Sequence, residues 1–131
     1  MFGYAKEFLD AATRLQKPKP FLRHPTFYCV LHCIELSLKA HLAHAGFTRR
    51  KLASKAYGHN LAELLNAADA NGSLHKASLD AFDRKAMRFG AEDYAKKSFE
   101  YPEFMVSTYP IGKWLRIARK LVRSAESLMT S

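Results

Sequence analysis

The chain has 131 residues, 48% of them apolar, with six glycines and five prolines; this composition excludes a disordered chain and argues against a turn-rich all-β protein. Lysine and arginine number 21 against 12 acids, a formal charge of +9 that says nothing about fold but favours an anionic partner such as nucleic acid, a nucleotide or an acidic protein. The length is that of one domain, 1–131, with one core.

The N-terminal string carries Lys6, Glu7 and Asp10, which interrupt any signal-peptide apolar core. Ala5, Phe8, Leu9, Ala12 and Leu15 recur at three- and four-residue steps and predict a first amphipathic helix over 2–16. The string KPKPF stops it, and Pro25 suits the first position of the next helix. That second helix, over 25–45, carries one stripe at Phe27, Leu31, Ile34 and Leu38 and another at Cys29, Cys33, Leu36 and Ala40. A helix apolar around most of its girth is surrounded by neighbours, so it is expected at the centre of a bundle. His32 and Glu35 keep its apolar run short of the roughly 18 residues that cross a membrane. Cys29 and Cys33, one helical turn apart, suit packing better than a disulfide. Buried free thiols fit a reducing compartment, and the expected location is the cytoplasm.

Residues 48–58 read as a basic connection. Asn60 followed by Glu63 resembles a capping box that opens a short third helix through Leu61, Leu64, Leu65 and Ala68. A fourth helix is predicted over 75–90, with Leu79, Phe82, Ala86 and Phe89 inward and Asp83, Arg84, Lys85 and Arg88 away from that stripe. Residues 92–110 read as an ordered aromatic loop packing through Phe99, Tyr101, Phe104 and Tyr109. Pro110 then opens the last helix, where Trp114, Leu115, Ala118, Leu121, Val122, Ala125 and Leu128 share one half of the wheel.

Four groups of residues carry candidate chemistry. Glu35 and Lys39, spaced i, i+4 inside an apolar helix, are either a solvated rim pair or a pair set in a groove between helices. His59, after Gly58 and before the third helix, is either a turn residue or an imidazole that meets an anion or moves a proton. Cys29, His32, Cys33, Glu35, His41 and His44 match no zinc spacing, and His32-to-Glu35 reverses the Glu-x-x-His order of di-iron bundles, so neither a metal nor a cofactor is expected. Lys113, Arg116, Arg119, Lys120 and Arg123 line the polar face of the last helix with Glu126 as the interleaved acid, a face able to track phosphates. No phosphate-cradling glycine loop, nucleophile elbow, helix-turn-helix reader or zinc finger is present in the sequence.

The strings Cys33-Ile34-Glu35-Leu36-Ser37-Leu38-Lys39-Ala40 and Tyr57-Gly58-His59-Asn60-Leu61, with Leu64-Leu65, resemble the E-L-x-L-K-A helix and the G-H-[DN]-L-x-x-L-L turn of the HEPN superfamily. Phe99-Glu100-Tyr101-Pro102 is similar to its R-Y-P string, with glutamate in place of arginine. The resemblance covers residues 25–125. It implies an all-α, antiparallel up-and-down bundle of four or five helices, often a homodimer, from defence, toxin–antitoxin or nucleotidyltransferase-partner contexts. Its nuclease members carry R-x(4–6)-H on a late helix. Here Arg49 and Arg50 precede His59 by ten and nine positions, and no histidine follows Arg84 or Arg88. The resemblance therefore implies a non-catalytic module binding RNA, a nucleotide or a partner protein encoded nearby, with Glu35, Lys39, Tyr57, His59 and Asn60 at the ligand site. The alternative is a metal-independent ribonuclease in which His59 transfers protons and Arg49 or Arg50 clamps phosphate.

Overall fold

Proline and glycine breakers divide the chain where its apolar stripes end, and the helices follow those divisions. The computed structural model describes residues 2–95 and 110–130, and among them lie six α-helices, one 3₁₀ turn and no strand. The expected packing of Phe99, Tyr101, Phe104 and Tyr109 lies outside the described residues.

Helix α1 covers Phe2–Gln16 and buries Ala5 and Ala12, with Phe8 and Leu9 beside them. Helix α2, Arg23–His44, starts two residues earlier than expected, so Pro25 is its third residue rather than its first. That position still lies in the first turn, where a backbone N–H has no intrahelical acceptor and proline removes nothing. Phe27, Val30, Leu31, Cys33, Ile34, Leu38 and Leu42 are all buried, and α2 packs against α1 and three later helices. It is the central helix that its two stripes predicted. Cys33 is buried without a disulfide, and burial pushes its thiol up to about 12.

The basic connection contains a single helical turn, α3 (Arg49–Leu52), capped by Thr48 and anchored by buried Leu52. Helix α4 covers Leu61–Ala70. The Asn60 side chain accepts from the Glu63 backbone N–H at 3.1 Å, which is the cap expected from the sequence. The 3₁₀ turn His75–Ala77 follows, and then α5 (Ala81–Ala95) and α6 (Ile111–Thr130).

Helix α5 departs from the expected phase. Phe82 and Phe89 are 75% and 53% exposed, whereas Asp83, Met87, Ala91 and Tyr94 are buried. Two tertiary facts turn the helix this way. Asp80 and Asp83 close a reciprocal capping box, with bonds of 2.8 and 3.0 Å, and two lysines of α6 neutralise the inward Asp83. Gly90 also admits the fully buried Trp114 ring, whose Nε1–H donates to the Ala86 carbonyl at 2.8 Å.

A Cβ at position 90 would lie 2.6 and 2.9 Å from Trp114 ring carbons and 3.3 Å from Leu31 Cδ1. Overpacking of that kind costs about 1–3 kcal/mol and exceeds the roughly 1 kcal/mol that alanine gains over glycine in a helix. Gly90→Ala is expected to lower the denaturant midpoint, and an unchanged or raised midpoint would show that the Trp114 packing yields.

Helices α1 and α6 pack on α2 and on each other. The inward face of α6 is the predicted one, with Trp114, Leu115, Ala118, Leu121, Val122 and Ala125 buried.

Candidate functional site

Glu35 sits mid-α2 and is 1% exposed, so it lies between helices and not at a solvated rim. An ionised carboxylate accepts and never donates, and four side chains converge on this one. Lys39, one turn along α2, donates to Oε2 at 2.9 Å. Tyr94, from the last turn of α5, donates its hydroxyl proton to Oε1 at 2.5 Å. His59, just before the Asn60 cap of α4, places Nδ1 at 2.7 Å from the same oxygen. His32 Nδ1 lies 3.6 Å from Oε1 and 2.6 Å from the Tyr94 hydroxyl.

The proton positions follow from this geometry. Tyr94 spends its proton on Glu35, so His32 Nδ1–H donates to the Tyr94 oxygen, and His59 Nδ1–H donates to the carboxylate. The His32 ring is held on its faces and edge, stacked on Tyr28 at 5.4 Å and met edge-on by Phe8 at 4.5 Å. Burial pushes the Glu35 carboxyl up, but the hydrogen bonds from His32, His59, Tyr94 and Lys39 outweigh it and hold it down at about 2. The side chains of Lys39 and Glu35 are nearly covered, whereas that of His59 is 56% exposed. The cluster therefore has one door, and His59 stands in it.

A second constellation lies between the 3₁₀ turn and α6. Lys113 and Lys120 place Nζ at 2.7 and 2.9 Å from the two oxygens of Asp83, which is 1% exposed. Burial again raises the carboxyl, while Lys113, the Asp80 amide and Lys120 lower it to about 2. Lys120 also donates to the Ser78 carbonyl at 3.2 Å, and Ser78 closes the turn in the left-handed region at φ 57°. Beside these residues opens a cleft of about 290 Å³ lined by Lys76, Lys120, Arg123, Ser78, Ser124 and Ser127. Behind it, buried His41 donates Nδ1–H to the Ser37 carbonyl at 2.7 Å, so its Nε2 accepts from the Ser124 hydroxyl at 3.0 Å. Burial lowers the His41 pKa, which keeps that ring neutral and fixes the direction of the Ser124 bond.

The expected ligand residues separate into two groups. Glu35, Lys39 and His59 come together; Tyr57 packs edge-on against Phe47, and Asn60 serves as the α4 cap. Of the five basic residues expected on α6, Lys113 and Lys120 are bound by Asp83, while Arg116 and Arg123 are exposed and Arg119 is half-buried. Arg49 and Arg50 are exposed on α3. Sequence reasoning missed Tyr94 as a partner of Glu35, Asp83 as a buried acceptor, and Lys76 as a cleft residue. The spacing Met87, Ala91, Tyr94 carries helical periodicity past residue 90, and Asp80-x-x-Asp83 is a readable helix start.

Comparisons with protein-family models, with curated proteins and with solved structures give no match.

Proposed function

We propose that the chain is a HEPN-like binding module whose ligand bears phosphate, RNA before a free nucleotide, held in the cleft between the 3₁₀ turn and α6. One observation carries this reading. Lys76 from the turn and Lys120 and Arg123 from α6 line the same cleft, with the serines Ser78 and Ser127 beside them. Lys120 is held by Asp83, but exposed Lys76 and Arg123 bring cations from two elements around hydroxyl donors, an arrangement suited to phosphate oxygens. Exposed Arg116 and half-buried Arg119 lie on the same helix and extend the positive surface along which a phosphate chain would run. A nucleotidyltransferase-like protein presenting an acidic surface is the competing ligand, and it predicts no affinity for RNA.

Lys76 and Arg123 are exposed, so replacing both with glutamate leaves the core untouched. Lys76→Glu with Arg123→Glu is expected to weaken RNA binding at least roughly tenfold at low salt, read by fluorescence anisotropy, with an unchanged melting temperature. Equal affinity in the double variant would contradict the cleft assignment.

A second reading is favoured by the Glu35–His59 pair. The carboxylate fixes the tautomer with the proton on Nδ1, which leaves the Nε2 lone pair of a half-exposed ring available as a base. This arrangement supports a metal-independent ribonuclease with Arg49 or Arg50 as the phosphate clamp. That reading predicts cleavage of RNA that is lost in His59→Ala.

A further inference from the structure

The residues that surround Glu35 share a property that phosphate binding does not use. His32, Glu35 and His59 each bring one ligand atom within 4.8 Å of the other two, and both Nδ1 atoms approach Glu35 Oε1, at 3.6 and 2.7 Å. We propose that these three side chains form a binding site for a divalent first-row transition ion, with His59 as the ligand that closes over it.

Four features of the geometry support the assignment. Metal–ligand bonds of about 2.0–2.2 Å in a tetrahedral site separate neighbouring ligand atoms by roughly 3.4 Å. The two imidazole nitrogens stand 2.7 and 3.6 Å from Oε1, on either side of that value. Second, Lys39 holds Oε2 at 2.9 Å, which presents Oε1 alone and makes the carboxylate a one-oxygen ligand. Third, Tyr94 donates to Oε1 at 2.5 Å, the kind of outer hydrogen bond that orients a metal-bound carboxylate. Fourth, His32 is locked between Tyr28 and Phe8 while His59 is half-exposed, so one ring is fixed and the other can admit the ion and then close.

Two imidazoles and one carboxylate suit zinc, iron, cobalt or nickel and disfavour calcium and magnesium, which take oxygen ligands. For a neutral ring, binding through Nδ1 moves its proton to Nε2 and changes no net charge. The hydrogen bonds from His32 to Tyr94 and from His59 to Glu35 are replaced by bonds to the ion, and Tyr94 keeps its bond to the carboxylate. Three protein ligands leave a tetrahedral ion one further position, which takes water. The Lys39 ammonium offsets the carboxylate charge, so the site binds more weakly than thiolate sites do. This centre is separate from the phosphate cleft: His32 and His41, which backs the cleft, are nine residues apart, about 13 Å along α2.

The test is a titration of the full chain, stripped of metal, with Zn²⁺ by calorimetry and with Co²⁺ by visible spectroscopy. The expected result is one saturating equivalent per chain, cobalt absorption bands of a nitrogen–oxygen site, and Zn²⁺-dependent shifts of the His32 and His59 ring signals in NMR spectra. His59→Ala is expected to lose more affinity than the roughly 10–100-fold that follows loss of an outer hydrogen bond, whereas His75→Ala, at an exposed histidine elsewhere, binds as the parent does. The ring signals of the unaltered chain keep the test decisive even where a variant is less stable. No saturable equivalent, unshifted His32 and His59 rings, or full binding by His59→Ala would each overturn the proposal.

Discussion

Glu35→Ala is expected to lower the stability of the fold by about 3–5 kcal/mol, the range for removing one member of a buried charge pair. In a domain of this size that corresponds to a fall in melting temperature of roughly 10–20 °C. The cost arises from what remains. Lys39 is left as an ammonium with little access to water, Tyr94 without its carboxylate acceptor, and His59 without the bond that seats it before α4. Three elements, α2, α5 and the α4 entry, lose their common acceptor at once. Glu35→Gln keeps the volume and one acceptor oxygen and is expected to cost less. Lys39→Met costs less again, because the carboxylate retains Tyr94, His59 and His32. A Glu35→Ala variant melting within a few degrees of the parent would show that water satisfies these donors and that the cluster does not hold the helices together.

Asp83→Asn is expected to produce the second largest loss and to change how stability depends on pH. Asp83 binds two ammonium groups of α6 and the Asp80 amide, and its carboxyl stands at about 2 against an ordinary 3.8. A carboxyl lowered by folding contributes stability that is fully present above its unfolded pKa and disappears as the pH falls through its folded one. For Asp83 the contribution is on the order of 2 kcal/mol. Glu35, lowered from 4.5 to about 2, acts in the same window. The parent protein is therefore expected to lose stability steeply between about pH 5 and pH 2. Asp83→Asn begins less stable at neutral pH and declines less over that interval, as read by urea midpoints across the range. Parallel declines in the two proteins would contradict the ionic link between α5 and α6.

The outcome for each element depended on where its determinants lie in the chain. The ends of α1, the central place of α2, the Asn60 cap and the inward face of α6 follow from residues within one or two turns of each other. Local pattern sufficed there. The phase of α5 did not follow. Phe82 and Phe89 are more apolar than Asp83, and a local reading turns them inward; the groups that reverse the choice, Lys113 and Lys120, lie thirty or more residues downstream. Three of the five members of the Glu35 cluster were visible, as Glu35, Lys39 and His59. Tyr94 was hidden because the same phase error ended the helix before it, and His32, three residues before Glu35, was weighed only against metal-ligand patterns and not as a hydrogen-bond partner of the cluster. The cleft beside the 3₁₀ turn was visible only on its α6 side, since Lys76 reaches it through a turn whose path no periodicity specifies.

The most direct test of the central claim is a titration of the purified chain against structured RNA without divalent metal, at low and at physiological salt, reading both binding and strand integrity. The expected result is intact RNA bound with an affinity that falls steeply with salt, by a log–log slope of roughly −0.7 for each phosphate contact to single strands. Cleavage lost in His59→Ala would contradict a binding module and promote the nuclease reading, and no binding at either salt would contradict a phosphate-bearing polymer as the ligand.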